Sequence, residues 1–448
     1  METTDTSAAK ETRNMLLNVG PSHPAMHGVI RLITELEGEK IVKVEAEIGY
    51  LHRGFEKSSE NSCWGNVMPY TDRLNYVSPL INNFGYCGAV EKLLGITVPE
   101  RGLYIRVMMS EISRITDHLT CIAASAMELG AMTAFLYLMK AREYLYDIIE
   151  NVTGARLTVS YGRIGGVKAD LPAGFDAELR SALTMTEKEL ADVDGLLTRN
   201  RIWIDRTRDT GVLTRANALT YGITGPVARS AGINYDVRKA FPYCAYDRFD
   251  FEIPLGDRGD NYDRYLVRME EMRQSIRILR QALRDLPGGP VTVDPQGRVI
   301  DPFTLVDEAK FGRTAGLVNI ASRVEPTLEG TEKRYSTRVS HRDRTVTLPS
   351  KEDTYGNIEG LMNHFKLVMD YHGMRPPAAE TYFAVEGANG ELGFYVVSDG
   401  KDRPYRVHCR PPCFFNMAGL HTMLEGYMMA DVIATFGSIN MIAGELDR

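Results

Sequence analysis

The sequence predicts an α+β protein in which a central bundle of long helices is flanked by peripheral β-sheet elements near both ends of the chain. Three patterns indicate this: alternating apolar and polar residues in the first fifty positions, helical periodicity over much of the middle, and a hairpin pattern near residue 390. Hydrophobic residues make up 44% of the 448 residues and charged residues 25%, as in globular proteins. A wholly disordered chain, a collagen-like fibre and a small disulfide scaffold are therefore excluded.

The N-terminal part is expected to form strands. The runs 16–21 and 29–50 alternate apolar and polar residues, and the second turns at a Glu-Gly-Glu sequence typical of a hairpin. Between the runs, Pro and Gly favour an irregular loop that carries His23 and His27. We predict a β-rich region over 1–100.

A helical core is expected over 101–289. One helical pattern runs from 101 to about 151 and is expected to bend at Gly130. Two further helices are expected at about 176–197 and 262–286, the second followed by a Pro-Gly-Gly-Pro stop.

One stretch of this core, 121–139, is apolar and long enough to span a bilayer. Glu128 lies at its centre, and a carboxylate in lipid would cost a few kcal/mol. We therefore interpret the stretch as a buried core helix.

The last part of the chain divides into two regions. Residues 290–349 are charged, rich in turn formers and weakly periodic, and are expected to form a polar insertion. Residues 350–448 are expected to be an α/β region, with a helix near 358–371 and two strands around Asn389-Gly390.

Composition and motifs exclude several functions. A net charge of −7 argues against binding to a nucleic-acid backbone, and no Walker A loop, GxSxG elbow or HExxH motif is present. The six cysteines form no CxxC pair, and His23 and His27 have no third ligand nearby, so no metal site is expected. The N-terminus lacks the pattern of a signal peptide, which favours a cytoplasmic location.

Several sequence blocks, spread over nearly the whole chain except 290–349, resemble the D-type family of NADH-quinone oxidoreductase, the quinone-site subunits of respiratory complex I. The blocks are GPSHPAMHGVIRL, EIGYLHRGFEK, MPYTDRLNYVSP, PERGLYIRVMMSEISRI, NHFKLV, GELGFYVVSDGKDRPYR and MADVIATFGSINMIAGELDR. This resemblance implies a fold similar to the large subunit of nickel–iron hydrogenases. The CxxC pairs that hold nickel in those enzymes are missing here, so a hydrogenase centre is not expected and only the emptied cavity would remain.

The resemblance implies that Tyr76 and His27 bind the quinone headgroup, where a phenol and an imidazole supply hydrogen bonds and protons. It places Glu128, where relatives commonly have Asp, in a pair with His27 that quinone reduction would break. The residues alone leave other roles open: a core tyrosine, a histidine that stabilises its turn, and a structural ion pair of Glu128 with another base.

By the same resemblance, Arg53 and Arg73 lie against the terminal 4Fe-4S cluster of a neighbouring subunit, where fixed positive charge raises its potential. The alternative is ordinary ion pairs with the nearby Glu56 and Asp72. Many relatives have a histidine where this chain has Thr158, so we expect a cluster potential with weak pH dependence.

The resemblance also assigns the walls of the quinone chamber. His23 is expected at the quinone site, and the run 431–448 is expected to fold back inside, with Met441 and Ile442 as wall residues. His118, in a helix rich in apolar residues, is expected to be a hydrogen-bonded core histidine.

The function that the resemblance implies is a peripheral-arm subunit of a proton-pumping NADH–quinone oxidoreductase, on the cytoplasmic side of a bacterial inner membrane. The chain itself would bind no metal or nucleotide; its substrate would be quinone and the 4Fe-4S cluster would belong to the adjacent B-type subunit. Other expected partners are a C-type subunit and membrane-arm subunits, with no nucleic acid. The alternatives are a membrane-bound hydrogenase-type large subunit and a structural scaffold without chemistry.

Overall fold

The computed structural model describes residues 14–24, 28–293, 346–349, 351–356, 358–369 and 373–448. The strands are β1 (Met15–Val19), β2 (Arg31–Glu37), β3 (Lys40–Glu47), β4 (Gly162–Arg163), β5 (Gly166–Val167), β6 (Ala379–Gly387), β7 (Gly390–Ser398) and β8 (Arg406–Arg410). The α-helices are α1 (Phe55–Glu60), α2 (Met68–Thr71), α3 (Pro79–Leu94), α4 (Glu100–Glu128), α5 (Met132–Thr153), α6 (Phe175–Leu197), α7 (Arg201–Thr207), α8 (Arg215–Thr220), α9 (Gly225–Ser230), α10 (Val237–Ala240), α11 (Asn261–Arg284), α12 (Lys351–Gly356), α13 (Ile358–Val368), α14 (Pro412–Ala418), α15 (Leu420–Leu424), α16 (Asp431–Ile439) and α17 (Ala443–Asp447). This mixture confirms the α+β class.

The long helix α4 is the centre of the fold. Every residue from 104 to 119 is buried, because α3, α5, α11 and α16 all pack against this helix. The helix ends at Glu128, and Gly130, at a φ of +91°, turns the chain into α5. The bend predicted at Gly130 is thereby confirmed, as are the helices predicted near 176–197 and 262–286.

Two three-stranded antiparallel sheets lie outside the helices. The first has the order β1-β2-β3 and the second β6-β7-β8. The hairpin of β6 and β7 pairs Gly387 with Gly390, so its turn is Ala388-Asn389, one residue earlier than expected. Helix α3 packs closely on this sheet, because a Cβ on Gly88 would lie 2.4 Å from the ring of Phe383.

The C-terminal helices return to the N-terminal sheet. A second apolar core joins β1–β3 to α14–α17, with members such as Leu32, Ile41, Met423 and Phe436. The N-terminal sheet and the C-terminal helices therefore build one part of the structure.

Two expectations need correction. The β-rich pattern covers only 15–47, whereas much of 55–94 is helical; α3, the longest helix there, is buried on nearly all sides and so shows no strand-like alternation. The apolar stretch 121–139 is not one helix: it is divided at 129–131, and Met132 and Leu136 are 55% and 60% exposed. In the described part of the chain, no helix combines the length and apolarity needed to cross a membrane. Of the polar insertion, 294–345 lies outside the described residues.

Candidate functional site

The candidate site is built around residues 72–78, the Tyr76 loop, which joins α2 to α3. Asn75 fixes the turn, since its Oδ1 accepts hydrogen bonds from the backbone N–H groups of Val77 at 3.2 Å and Ser78 at 3.3 Å. From the first turn of α3, Asn82 Nδ2 donates to the carbonyl of Asn75 at 2.9 Å. The backbone of the loop is therefore held from both sides.

Tyr76 is half-buried between this loop and the C-terminal segment. A Cβ on Gly444 would lie 3.3 Å from the Tyr76 ring and 2.5 Å from the carbonyl oxygen of Arg73, so glycine permits this close approach. The Arg73 guanidinium lies 5.2 Å from the ring centre, a cation–π distance. The phenol oxygen forms no hydrogen bond to any residue that the structure describes.

The surroundings keep the Tyr76 phenol protonated. Burial raises the pKa of Tyr76, and the neighbouring Cys413 and Asp117 act in the same direction against the positive charge of Arg73. At neutral pH the hydroxyl is consequently a donor available to a ligand.

Asp117, on α4, lies directly behind the loop. Its fully buried carboxylate accepts hydrogen bonds from Asn75 Nδ2 at 2.9 Å and Ser78 Oγ at 2.7 Å. A third bond, at 2.7 Å, comes from Nδ2 of Asn440 in the C-terminal segment. One side chain thus connects two separate parts of the site.

Residues 440–442, the C-terminal wall, follow α16 and are held rigidly. Asn440 has a φ of +59°, a left-handed conformation that asparagine tolerates better than most residues. Arg268 on α11 donates to the carbonyls of the last two residues of α16 at 2.5 and 3.2 Å, which places a cation at a helix C-terminus. Met441 and Ile442 are then buried in the second core.

A second carboxyl, Glu445, lies beyond the wall. Its Oε2 accepts hydrogen bonds from Cys413 Sγ at 2.8 Å and Asn389 Nδ2 at 3.5 Å, and Asn389 Oδ1 accepts from Asn440 at 2.7 Å. Burial raises the pKa of Glu445 to about 7, with the charge of Asp117 acting in the same direction. A continuous buried polar network therefore runs from the Tyr76 loop to Glu445.

Glu128 is the last residue of α4 and is half-buried beside α16. A Cβ on Gly437 would lie 2.9 Å from Ser125 Oγ and 3.6 Å from Glu128 Oε2, so the two helices touch here. His27 lies outside the described residues, so its pairing with Glu128 stays a prediction. His23 is exposed.

Arg53 and Arg73 lie on the exposed rim of the site. Arg53 Nη2 donates to the carbonyl of Tyr70 at 3.1 Å, and its backbone N–H donates to the carbonyl of Arg448 at 3.3 Å. Partial burial and the charge of Arg73 lower the pKa of Arg53. Neither arginine forms an ion pair with a carboxylate in the described ranges.

The two acids considered as alternative partners are occupied elsewhere. Glu56 pairs with Arg406 and His408, at 3.2 and 2.9 Å. Asp72 accepts from Asn83 Nδ2 at 2.6 Å and from Ser160, near the exposed Thr158. Neither acid therefore neutralises the rim arginines.

A second buried charged network lies deeper in the fold and was not expected. It joins α4, α9, α10, α11 and β6; its charged members are Glu111, Arg114, Arg229, Asp236, Arg238, Glu271 and Glu386. His118 shares a hydrogen bond of 2.8 Å with Glu271, which confirms it as a hydrogen-bonded core histidine. Burial lowers the pKa of His118, and Glu271 opposes that shift.

Comparison with known proteins identifies the family. Residues 128–448 match the family model of the respiratory-chain NADH dehydrogenase 49 Kd subunit. The chain belongs to this family. The D subunit of NADH-quinone oxidoreductase from Myxococcus xanthus is 49% identical over 98% of this chain and 94% of its own length, and that from Pelobacter propionicus is 48% identical over 98% and 96%. The C/D subunit of the same enzyme from Bdellovibrio bacteriovorus is 46% identical over 96% of this chain and 68% of its own length.

For this member of the 49 Kd subunit family, the structure brings Tyr76, Arg73 and the wall residues together, while Glu128 lies at the far end of α4. Sequence reasoning missed Asp117 and Glu445. Glu445 lies within a resembling block and Asp117 lies just beside one. No sequence pattern marks a carboxylate such as Asp117, whose partners are 42 and 323 residues away along the chain. Among the described residues, no group of three histidine, cysteine or acidic side chains could hold a metal ion.

Proposed function

We propose that this chain is the peripheral-arm subunit of a proton-pumping NADH–quinone oxidoreductase that binds the quinone headgroup at Tyr76. The observation that supports it most strongly is the Tyr76 hydroxyl, a protonated donor that is half-buried and has no hydrogen-bond partner among the described residues. A half-buried donor held in a fixed loop is suited to a carbonyl oxygen of a ligand.

Reduction of a quinone to a quinol takes up two electrons and two protons. In the proposed site Tyr76 and His27 each hold one carbonyl oxygen and supply the protons as charge develops there. Met441 and Ile442 form the apolar wall that a quinone ring needs, and His23 lies near the entrance. When His27 gives up its proton, its pair with Glu128 breaks, and this change in charge couples quinone reduction to proton pumping.

Electrons would come from a 4Fe-4S cluster that a B-type partner subunit holds, while this chain binds no cofactor of its own. The exposed Arg53 and Arg73 support contact between the rim and that cluster. Two neighbouring cations without an acidic partner among the described residues would stabilise the negative charge of the reduced cluster. The C/D relative supports a C-type subunit as another partner. In the same proposal, the chain also contacts membrane-arm subunits and lies on the cytoplasmic face of the membrane.

The hydrogenase alternative has weaker support, since the chain has no CxxC pair to bind nickel. A structural scaffold is the second alternative, and it predicts that the Tyr76 hydroxyl can be removed without loss of activity.

The test is quinone reduction by the complex purified through a tag on this chain, comparing wild type with Tyr76→Phe. We expect quinone turnover to fall about a hundredfold, while reduction of an artificial acceptor by the donor module is unchanged. Tyr405→Phe, at a tyrosine that is 69% exposed, is the matched control and should behave as wild type. Wild-type quinone turnover in Tyr76→Phe would overturn the proposal and favour the scaffold.

A further inference from the structure

The feature that carries a further inference is the carboxylate of Asp117, which the site description leaves without a role. It is fully buried, and the three groups that donate to it are two amides and one hydroxyl. No cation of the described residues lies within ion-pair distance of it. A buried charge without a counter-ion is expensive and acts strongly on its surroundings.

The partners of Asp117 come from the two parts of the chain that enclose Tyr76. Asn75 and Ser78 bracket Tyr76 in the Tyr76 loop, and Asn440 is the first residue of the C-terminal wall. The loop and the wall share no other side-chain hydrogen bond in the described structure. Apart from the packing of Gly444 on the loop, this carboxylate is therefore the polar link that holds the loop and the wall together in the described structure.

We propose that Asp117 is a positioning residue of the Tyr76 site: its carboxylate fixes the Tyr76 loop against the C-terminal wall and supplies the negative charge behind the phenol. This inference rests on the proposed function, because it assigns to Asp117 a role in binding the quinone and in the proton chemistry of Tyr76.

The charge acts on several groups around it. The charge of Asp117 acts on six titratable groups of its own and neighbouring elements, and the cation Arg268 acts on two of them, His118 and Cys121. The six groups are Tyr76, His118, Cys121, Tyr146, Cys413 and Glu445. For Tyr76 and Glu445, burial is the largest cause of a raised pKa and Asp117 adds to it, while Arg73 and Arg410, respectively, oppose it. Removing the charge therefore lowers both pKa values.

The substitution Asp117→Asn tests both proposed roles: the link between loop and wall, and the negative charge behind the phenol. The amide can still accept from Asn75 and Ser78, but its NH₂ group then faces the NH₂ group of Asn440, so loop and wall separate. We expect the KM for quinone to rise about tenfold, as for a lost hydrogen bond to a charged group. The alkaline limb of the pH–rate profile should move to lower pH, because the pKa of Tyr76 loses the contribution of the Asp117 charge.

Ser113→Ala is the matched control, because Ser113 lies one turn earlier on α4 and its buried hydroxyl has no described partner. It should leave both the KM and the pH profile unchanged.

A wild-type KM and pH profile in Asp117→Asn would overturn the inference. If Asp117→Asn does not assemble, Ser78→Ala removes one donor and keeps the charge. We then expect a KM raised about threefold with an unmoved alkaline limb, and an unchanged KM would overturn the inference.

Tyr76→Phe is measured in parallel to separate this inference from the proposed function. Loss of turnover in Tyr76→Phe together with wild-type behaviour of Asp117→Asn would overturn only the role of Asp117. Full turnover in Tyr76→Phe would overturn both.

Discussion

Glu386 gives the strongest prediction for the stability of the fold. Its buried carboxylate accepts from Arg229 Nη1 at 2.8 Å and from the N–H of Val237 at 3.0 Å, within the deep charged network. Burial, and then the neighbouring Asp236, raise the pKa of Glu386 from 4.5 to about 7 despite the three arginines around it. The substitution Glu386→Gln keeps the shape of the side chain and removes its titratable carboxyl group.

The magnitude follows from that shift. An acid with a raised pKa binds its proton more tightly in the folded chain, so its contribution favours folding at low pH and is lost as the pH rises from about 4.5 to about 7. A difference of two to three units corresponds to about 3 kcal/mol. The glutamine loses one good acceptor contact, which costs about 1–2 kcal/mol at every pH.

We therefore expect Glu386→Gln to be less stable than wild type by up to about 1 kcal/mol at pH 5 and more stable by about 1–2 kcal/mol at pH 8. Urea unfolding of the purified chain at several pH values, followed by the fluorescence of Trp64 and Trp203, measures the difference. Glu39→Gln, an exposed carboxylate in the first hairpin turn, is the control and should show no crossing. A difference between Glu386→Gln and wild type that is independent of pH would refute the reasoning.

Two further predictions concern packing and the wall. Gly88→Ala places a methyl group 2.4 Å from the Phe383 ring and should destabilise the chain by about 1–3 kcal/mol, whereas Gly195→Ala, in open space on α6, should stabilise it by about 0.5–1 kcal/mol. The midpoints of urea unfolding measure both changes, and equal effects of the two substitutions would contradict the close packing of α3 on the second sheet. Arg268→Met removes both bonds to the end of α16 and should raise the KM for quinone about tenfold in the assembled complex, with kcat less affected; Arg273→Met, on the exposed face of α11, should have no effect.

The helices and hairpins could be predicted because their signals are local. The periodicity of α6 and α11 and the glycine between α4 and α5 depend on neighbours within a few residues. The bend at Gly130 was predicted, but the exposure of Met132 and Leu136 just after it was not, because an apolar composition suggests burial. The β-rich region was drawn out to residue 100 from the strand pattern of the first fifty positions, and so included the helices of 55–94.

The candidate site could be predicted only in part. Tyr76, Met441 and Ile442 were named through resemblance to a family; in the structure Met441 and Ile442 are buried in the second core, and Tyr76 packs against that core. Asp117, Cys413 and Glu445 could not be found, because their significance lies in hydrogen bonds between residues distant in sequence. The charged network around Glu386 was missed for the same reason: charges at 111, 229, 271 and 386 look like surface residues until the fold buries them together.

The central claim is that the quinone headgroup binds at Tyr76, and photolabelling tests it most directly. The assembled complex is illuminated with an azido-substituted short-chain quinone, with and without excess unlabelled quinone, and the labelled peptides are mapped. We expect protected labelling in the peptides that contain the Tyr76 loop and the C-terminal wall, and its loss in Tyr76→Phe. Protected labelling confined to other subunits, with none on this chain, would contradict the account.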